Sequence, residues 1–229
     1  MINFIKNQKE TFLAISAMVI GVIFIDIHGL IVKYLGGEYS TIQLALFRNT
    51  FAIIPLILLL IYNKESSDLF KNLNKKFILF CFIRGSCFLA INILYYIAIN
   101  NMEFATASTL TFSSTFFIVI LSIFFLGDRV GIYRWSAVII GFVGVVMIMK
   151  PNSSIFSYYS ILPILVAFLW AVQVIVLKFI PDNFSTGKIQ FYSLFSSFLG
   201  SLIFIFFTTG HTYIESNTDF LILSLIGIF

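Results

Sequence analysis

Long apolar runs separated by short polar segments make up most of the chain. A helix needs about 20 mainly apolar residues to cross the hydrocarbon layer of a bilayer. Runs of about that length cover residues 11–32, 42–61, 77–100, 105–126, 132–149, 158–177 and 186–209. Polar, Gly or Pro residues separate them, as in GGEYS and KPNSS. The pattern predicts seven membrane-spanning helices, followed by part of an eighth that begins at Phe220.

The composition supports this interpretation. The chain is 60% hydrophobic and 10% charged, whereas an ordinary soluble domain is about 25% charged. So few charges cannot solvate a globule that also contains 29 Phe. We therefore predict an all-α integral membrane protein whose surroundings are the lipid bilayer. The net charge of +4 is spread over the loops and gives no sign of nucleic-acid binding.

The sequence predicts neither a cofactor nor a metal site. Cys81 and Cys87 lie on one predicted helix and point to different sides of it, so they cannot share a ligand. The chain has no glycine-rich phosphate loop, no metal-spaced His cluster and no G-x-S-x-G segment. An enzyme is therefore not expected.

The distribution of Lys and Arg among the loops predicts the orientation. Alternating the spans puts Lys33 and Lys150 on one side of the membrane. The other side carries Lys6, Lys9, Lys64, Lys71, Lys75, Lys76, Arg129, Arg134, Lys178 and Lys188. Because cytoplasmic loops are enriched in Lys and Arg, the N-terminus is expected in the cytoplasm.

A nine-residue segment occurs twice. Residues 33–41 read KYLGGEYST and residues 178–186 read KFIPDNFST. The first follows the first predicted span and the second follows the sixth, so the repeated unit contains five helices. Because five is odd, the second copy crosses the membrane in the opposite sense, as in many secondary transporters. We expect a first repeat at residues 1–150 and an incomplete second repeat at residues 151–229, cut short after the partial eighth helix.

Several stretches resemble the drug/metabolite transporter superfamily, in particular its EamA-type ten-helix members. The stretch AFLWAVQVIVLKFI is similar to the family's Trp-plus-small pair before a basic residue, and ALFRNTFAIIP contains the family's Arg, here Arg48. Asp128 stands where the family usually has Glu, and Thr115 where Pro is common. The family's small residues have matches at Ala98, Ala105, Gly127, Gly141 and Gly144.

Within that family, the chain looks most like the S-adenosylmethionine uptake carriers of obligate intracellular bacteria. The resemblance implies a secondary transporter of the bacterial inner membrane that works by alternating access. Its expected substrate is S-adenosylmethionine, with S-adenosylhomocysteine as a candidate exchange partner. Two alternatives stay open: a truncated, inactive remnant of such a carrier, and an exporter of amino acids or other metabolites. The coupling ion, the direction of transport and the oligomeric state stay undetermined.

Ionisable residues inside predicted spans are the first candidates for the substrate site, because burying each costs about 2.5–3.5 kcal/mol or more. Asp26 and Arg48 both lie ~9 Å from the same membrane surface on consecutive helices. They are expected to form an ion pair that either locks the helices or opens to bind a zwitterion. Arg84 either extends toward the nearer surface or binds an anionic group.

Amides and aromatic rings complete the predicted site. Asn92 and Tyr95 are three residues apart, as are Trp170 and Gln173, and each pair is expected to share a helix face. Tyr192 lies in the seventh span. The rings suit a planar heterocycle or a sulfonium, although packing is the alternative for each.

Three further residues are expected to pack rather than to bind substrate. His28 is assigned to helix packing in preference to proton transfer. Gly141 and Gly144 are expected to permit close helix contact, as small residues do in membrane bundles.

Overall fold

The computed structural model describes residues 2–71, 73–149, 158–208 and 217–228. Regular structure in these ranges is entirely helical, which confirms the all-α prediction. The helices are α1 (Ile2–Leu35), α2 (Thr41–Phe51), α3 (Ile53–Tyr62), α4 (Lys75–Asn101), α5 (Phe104–Thr111), α6 (Ser114–Leu126), α7 (Ile132–Met149), α8 (Ile161–Lys178), α9 (Thr186–Thr208) and α10 (Asn217–Ile228). Short 3₁₀ turns at Ser66–Asp68 and Tyr158–Ser160 precede α4 and α8.

Two predicted spans are each divided into two helices. α2 ends at Phe51, four residues before Pro55, because a proline ring clashes with the carbonyl group four residues earlier. The span at 105–126 is divided at Phe112 and Ser113, where no proline or glycine signals a break. There the hydroxyl of Ser113 donates to the carbonyl oxygen of Leu110 at 2.7 Å, a bond that competes with regular helix geometry.

Six helical stretches in the described residues are long and apolar enough to cross a membrane. They are Thr11–Leu35, Thr41–Tyr62, Lys75–Asn101, Phe104–Leu126, Tyr158–Lys178 and Thr186–Thr208. The helices at Ile132–Met149 and Asn217–Ile228 are shorter and also apolar. Large apolar side chains cover the outside of the bundle, including Phe124 at 79% exposure and Phe206 at 80%. Such a surface suits lipid rather than water.

Helix α4 lies at the centre of the bundle. It packs mainly against α8 and α9, while α2 packs against α9 and α10. The contact with α9 is close because Gly85 faces the backbone of Ser193 and leaves no room for a Cβ atom. On α9 the buried residues Ser193, Ser197 and Ser201 recur every four residues. Small residues on both sides bring the two helices together.

The two copies of the repeated segment lie at opposite ends of α4. The ammonium group of Lys33, in the first copy, donates to the carbonyl oxygen of Met102, one residue beyond α4, at 3.0 Å. In the second copy, Phe184 stacks on Phe77, near the start of α4, with ring centroids 4.1 Å apart. A helix of 27 residues separates these ends by ~40 Å. We call the end that contains residues 63–76 and 178–188 the lysine-rich end.

The local structure of the two copies is similar. Leu35 and Ile180 occupy the same position in the repeat, and both are buried. The buried aromatic side chains of Tyr39 and Phe184 also correspond. The eighth residue of each copy is a serine whose hydroxyl accepts a hydrogen bond from the backbone three residues later, which caps α2 at Ser40 and α9 at Ser185.

The glycines of α7 depart from the prediction. A Cβ atom built at Gly141 or Gly144 would meet no atom of another described helix within 4 Å. Gly141 lines a groove of about 460 Å³ between α6 and α7. The predicted close contact at these glycines is therefore wrong, because α6 and α7 stand apart there.

Candidate functional site

One face of α4 carries a row of polar and aromatic side chains through the middle of the bundle. Arg84, Phe88, Asn92 and Tyr95 follow one another at intervals of four, four and three residues, which places them on one side of a helix. The row is ~16 Å long at 1.5 Å per residue. It can therefore contact a molecule with several functional groups.

Arg48 reaches this row from α2. Its guanidinium carbon lies 4.2 Å from the centroid of the Phe88 ring, a cation–π contact. Its Nη1 atom is buried and has no hydrogen-bond partner among the described residues. Burying an N–H group of a cation without a hydrogen-bond acceptor is costly. This atom is therefore available to a ligand.

Three more buried nitrogen atoms lack partners in the described part of the chain. They are Nε of Arg84, Nδ2 of Asn92 and Nε2 of Gln173. With Arg48 they form what we call the donor cluster, contributed by α2, α4 and α8. The guanidinium groups can only donate hydrogen bonds. The cluster can therefore donate further hydrogen bonds to acceptor atoms.

The position of Gln173 follows from the packing of α8 against α4. Leu177, one turn further along α8, contacts the buried group that contains Phe77 and Cys81. Arg84 lies about one turn further into the bundle from Cys81. Gln173 and Arg84 are therefore at similar depth, on the inner side of that apolar group.

Acceptor atoms also remain unpaired near the cluster. Asn49, next to Arg48 in sequence, donates from Nδ2 to the hydroxyl of Ser197 at 3.0 Å, and its Oδ1 atom has no partner among the described residues. This bond joins α2 to α9. Tyr95 has a partner, the hydroxyl of Ser108 on α5, at 2.9 Å.

The predicted ion pair between Asp26 and Arg48 is wrong. Asp26 is exposed on α1, and the ion pair found within the described ranges is the one between Lys71 and Asp68, at 2.9 Å. The reason is the direction of the side chain, because Asp26 is exposed on the outer side of α1, whereas His28, two residues later, is buried. Equal depth along two helices does not make two side chains face each other.

His28 faces the interior of the bundle from α1. Its Nδ1 atom lies 2.9 Å from the carbonyl oxygen of Ile226, and its Nε2 atom 3.0 Å from the hydroxyl of Tyr96. A carbonyl oxygen only accepts, so Nδ1 carries the proton and Nε2 accepts from Tyr96. Both ring nitrogens are therefore used to join α1, α4 and α10, which fits the predicted packing role.

Trp170 and Tyr192 lie outside the donor cluster. Trp170 is 43% exposed on the outer side of α8, whereas Gln173 is buried, so the two do not share a buried face. The ring of Tyr192 packs edge-on against Phe77, with centroids 5.4 Å apart. Its hydroxyl donates to the carbonyl oxygen of Leu69 at 3.2 Å, at the lysine-rich end.

Sequence reasoning singled out Arg48, Arg84, Asn92, Tyr95 and Gln173, and missed Phe88 and Asn49. The spacing of four between Arg84, Phe88 and Asn92 was a usable signal for Phe88. No local sequence pattern predicts the hydrogen bond between Asn49 and Ser197, since these residues are far apart in sequence. Among the described residues, no three His, Cys, Asp or Glu side chains are grouped as metal ligands.

A bundle of membrane-length apolar helices with unpaired donors in its interior is typical of a multi-pass membrane transporter. The chain belongs to the EamA-like transporter family, whose sequence model matches residues 12–150. The same match supports the superfamily that the sequence motifs resembled.

Curated relatives match shorter regions. The chain is 40% identical over 63 residues to a protein of Rhizobium johnstonii named riboflavin transporter, a match that covers 28% of this chain and 21% of that protein. It is 33% identical over 78 residues to a riboflavin transporter of Vibrio cholerae, covering 34% of this chain and 26% of the relative. A riboflavin transporter of Brucella anthropi is 33% identical over 79 residues, covering 34% and 28%. The matched region therefore spans less than a third of each relative's length.

Proposed function

We propose that the chain forms the first five-helix repeat and part of the second repeat of a secondary transporter, which binds a small metabolite at the donor cluster. Alternating access would expose that cluster first at one end of α4 and then at the other. Support comes from the two copies of the nine-residue segment, which lie at opposite ends of α4 and share burial and capping.

The substrate that best fits the donor cluster is a planar, acceptor-rich heterocycle, and riboflavin is our first candidate. The main observation in support of this substrate class is the set of unpaired N–H groups on Arg48, Arg84, Asn92 and Gln173. The ring system of riboflavin offers carbonyl oxygens and ring nitrogens to such donors, and the Phe88 ring offers an apolar face. The names of the three curated relatives point to the same compound.

S-adenosylmethionine, taken up in exchange for S-adenosylhomocysteine, is the second candidate. Its carboxylate suits the guanidinium fork of Arg48. Its sulfonium would lie near two cations, Arg48 and Arg84, while the nearest predicted counter-charge, Asp26, is exposed on α1. Charge repulsion therefore favours riboflavin over S-adenosylmethionine.

Uptake into proteoliposomes tests the proposal. The intact protein is reconstituted, and the uptake of radiolabelled riboflavin is compared with that of S-adenosylmethionine and of an amino-acid mixture. We expect saturable riboflavin uptake that unlabelled riboflavin competes away, and loss of uptake in Arg48→Gln. Saturable uptake of S-adenosylmethionine alone would select the second candidate, and amino-acid transport alone would select the exporter alternative. No saturable transport of any of them would support the inactive-remnant alternative.

We also propose that the lysine-rich end faces the cytoplasm in a bacterial inner membrane. The excess of Lys and Arg at that end supports this orientation. Lys33→Cys and Lys178→Cys, each made in a background without the two native cysteines, should be labelled from opposite sides of sealed vesicles. Labelling of both from the same side would reject the inverted repeat, and labelling of Lys178→Cys from the outside would reject the orientation.

A further inference from the structure

Lys188 is a buried cation at the lysine-rich end. It lies in the first turn of α9 and is 6% exposed. Its ammonium group donates to the carbonyl oxygen of Asp68 at 3.0 Å and to that of Lys71, both in the connection between α3 and α4. The rings of Phe184 and Phe77 lie 5.3 Å and 5.8 Å from the ammonium nitrogen. Carbonyl dipoles and ring faces contact this charge, and among the described residues no carboxylate forms an ion pair with it.

Two further hydrogen bonds join the same parts of the chain. The hydroxyl of Ser185 donates to a carboxylate oxygen of Glu65 at 2.7 Å. The hydroxyl of Tyr192 donates to the carbonyl oxygen of Leu69 at 3.2 Å. Each bond runs between the connection at residues 65–71 and the region at residues 183–192, so the contact crosses between the two proposed repeats.

An apolar layer lies directly beneath these bonds. It consists of the buried side chains of Phe77, Cys81, Ile180, Phe184 and Ile189, which we call the apolar plug. The plug lies between the lysine-rich end and the donor cluster, because Arg84 is about one turn further into the bundle than Cys81. A buried apolar layer in this position can act as a barrier between that end and the donor cluster.

A cleft of about 240 Å³ opens next to Lys188 and is lined by polar side chains that include Glu65, Asp68 and Ser185. Water in this cleft can replace the two carbonyl oxygens as hydrogen-bond acceptors when Lys188 leaves them. The contact is therefore of a kind that can form and break repeatedly, unlike an apolar core contact. The corresponding residue of the first copy, Gln43, caps its own helix at Ser40, so the lysine contact is specific to one end.

We propose that Lys188 holds a gate closed at the lysine-rich end, with the connection at residues 65–71 as the moving part and the apolar plug as the barrier. This inference rests on the proposed carrier function. It assigns Lys188 a positioning role, since the side chain does not reach the donor cluster. When the gate opens, the Lys188 bonds break, the plug separates, and the donor cluster becomes accessible from that end.

The native cysteines provide the test without any transport measurement. Cys81 belongs to the plug and is 1% exposed, whereas Cys87 lies one and a half turns further along α4 and is partly exposed. The reconstituted protein is treated with a maleimide, and mass spectrometry follows the modification of each cysteine over time. In Lys188→Met we expect the labelling rate of Cys81 relative to Cys87 to rise about tenfold or more, as loss of hydrogen bonds from a charged donor implies.

Three further variants complete the experiment. Tyr192→Phe removes one hydroxyl bond and keeps the ring, so the relative rate at Cys81 should rise about threefold, as expected for a neutral hydrogen bond. Lys188→Arg should restore most of the protection. Lys178→Met, which removes an exposed lysine at the same end of the bundle, should leave the rate unchanged.

An unchanged Cys81 rate in Lys188→Met and Tyr192→Phe would overturn the gate. An equal rise at Cys81 and Cys87 together with a lower melting temperature would also overturn it, because this result would indicate general loosening. Since labelling needs no substrate, failure of the gate and failure of the proposed transport can be told apart.

Discussion

The guanidinium group of Arg48 stacks over the ring of Phe88 at 4.2 Å, while one of its nitrogens is buried without a partner. The contact fixes the side chain of Arg48, on α2, against the middle of α4. It holds the cation in place without neutralising it, because a ring quadrupole attracts a charge and leaves its N–H groups free. A fixed cation with free donors is a ready binding group for an acceptor-rich substrate.

Arg48→Lys should therefore reduce transport although the charge is kept. An ammonium group is a point charge and cannot stack and donate in one plane as a guanidinium does. We expect kcat/KM for riboflavin uptake to fall about tenfold or more, the loss expected for a hydrogen bond to a charged group. Initial uptake rates in proteoliposomes at several concentrations provide the measurement. Activity within twofold of the unmodified protein would show that only the charge matters.

Asp26→Asn should leave uptake within about twofold of the unmodified protein, since substitutions at exposed positions usually have small effects. Asp26 is exposed on α1 and forms no ion pair with Arg48. Arg84→Gln is the matched comparison, because it also removes one charge from a span but lies in the donor cluster, and it should reduce uptake strongly. A large loss in Asp26→Asn with normal Arg84→Gln activity would contradict this assignment of the two charges.

The sequence predicts the helices well because span length and hydrophobicity are local properties. The break after Phe51 can be predicted from Pro55. The break at Phe112 depends on the hydrogen bond from Ser113 to Leu110, and no proline or glycine in the sequence predicts it. The pairing of Asp26 with Arg48 failed for a different reason. Depth in a membrane can be counted along each helix, but which side of a helix faces its neighbours is decided by packing over the whole bundle.

Lys188 is a second case in which a contact between distant parts of the chain could not be predicted from the sequence. By sequence it counts as one of the loop cations that orient the chain. In the structure it is buried, because carbonyl groups more than a hundred residues earlier receive its ammonium group. Conversely, the row of Arg84, Phe88 and Asn92 was readable from spacing alone, since residues four apart share a helix face.

Ser197→Ala should destabilise the bundle by about 1 kcal/mol, within the range measured for hydrogen bonds between membrane helices. The substitution removes the partner of the buried Asn49 amide and with it the bond between α2 and α9. Ser201→Ala is the control, because the Ser201 hydroxyl donates to the carbonyl oxygen of Phe198 in its own helix. Denaturation in mixed detergent would measure both. Equal effects of the two substitutions would show that the bond between the helices makes no net contribution to the stability of the bundle.

Gly85→Ala should separate α4 from α9. A Cβ atom at this position would overlap the backbone oxygen of Ser193, which a side-chain rotation cannot relieve, and would crowd the side chain of Ser196. Overpacking of this kind costs about 1–3 kcal/mol, and here the helices themselves must move. The melting temperature in detergent should fall accordingly.

Gly141→Ala is the matched control for that substitution. It makes the same chemical change inside a helix, but its Cβ atom would enter the open groove between α6 and α7. Replacing a helical glycine by alanine in free space stabilises a helix by about 0.5–1 kcal/mol, so the melting temperature should stay the same or rise. If both substitutions lowered stability equally, loss of glycine itself would be the cause, and the close contact of α4 with α9 would no longer explain the effect.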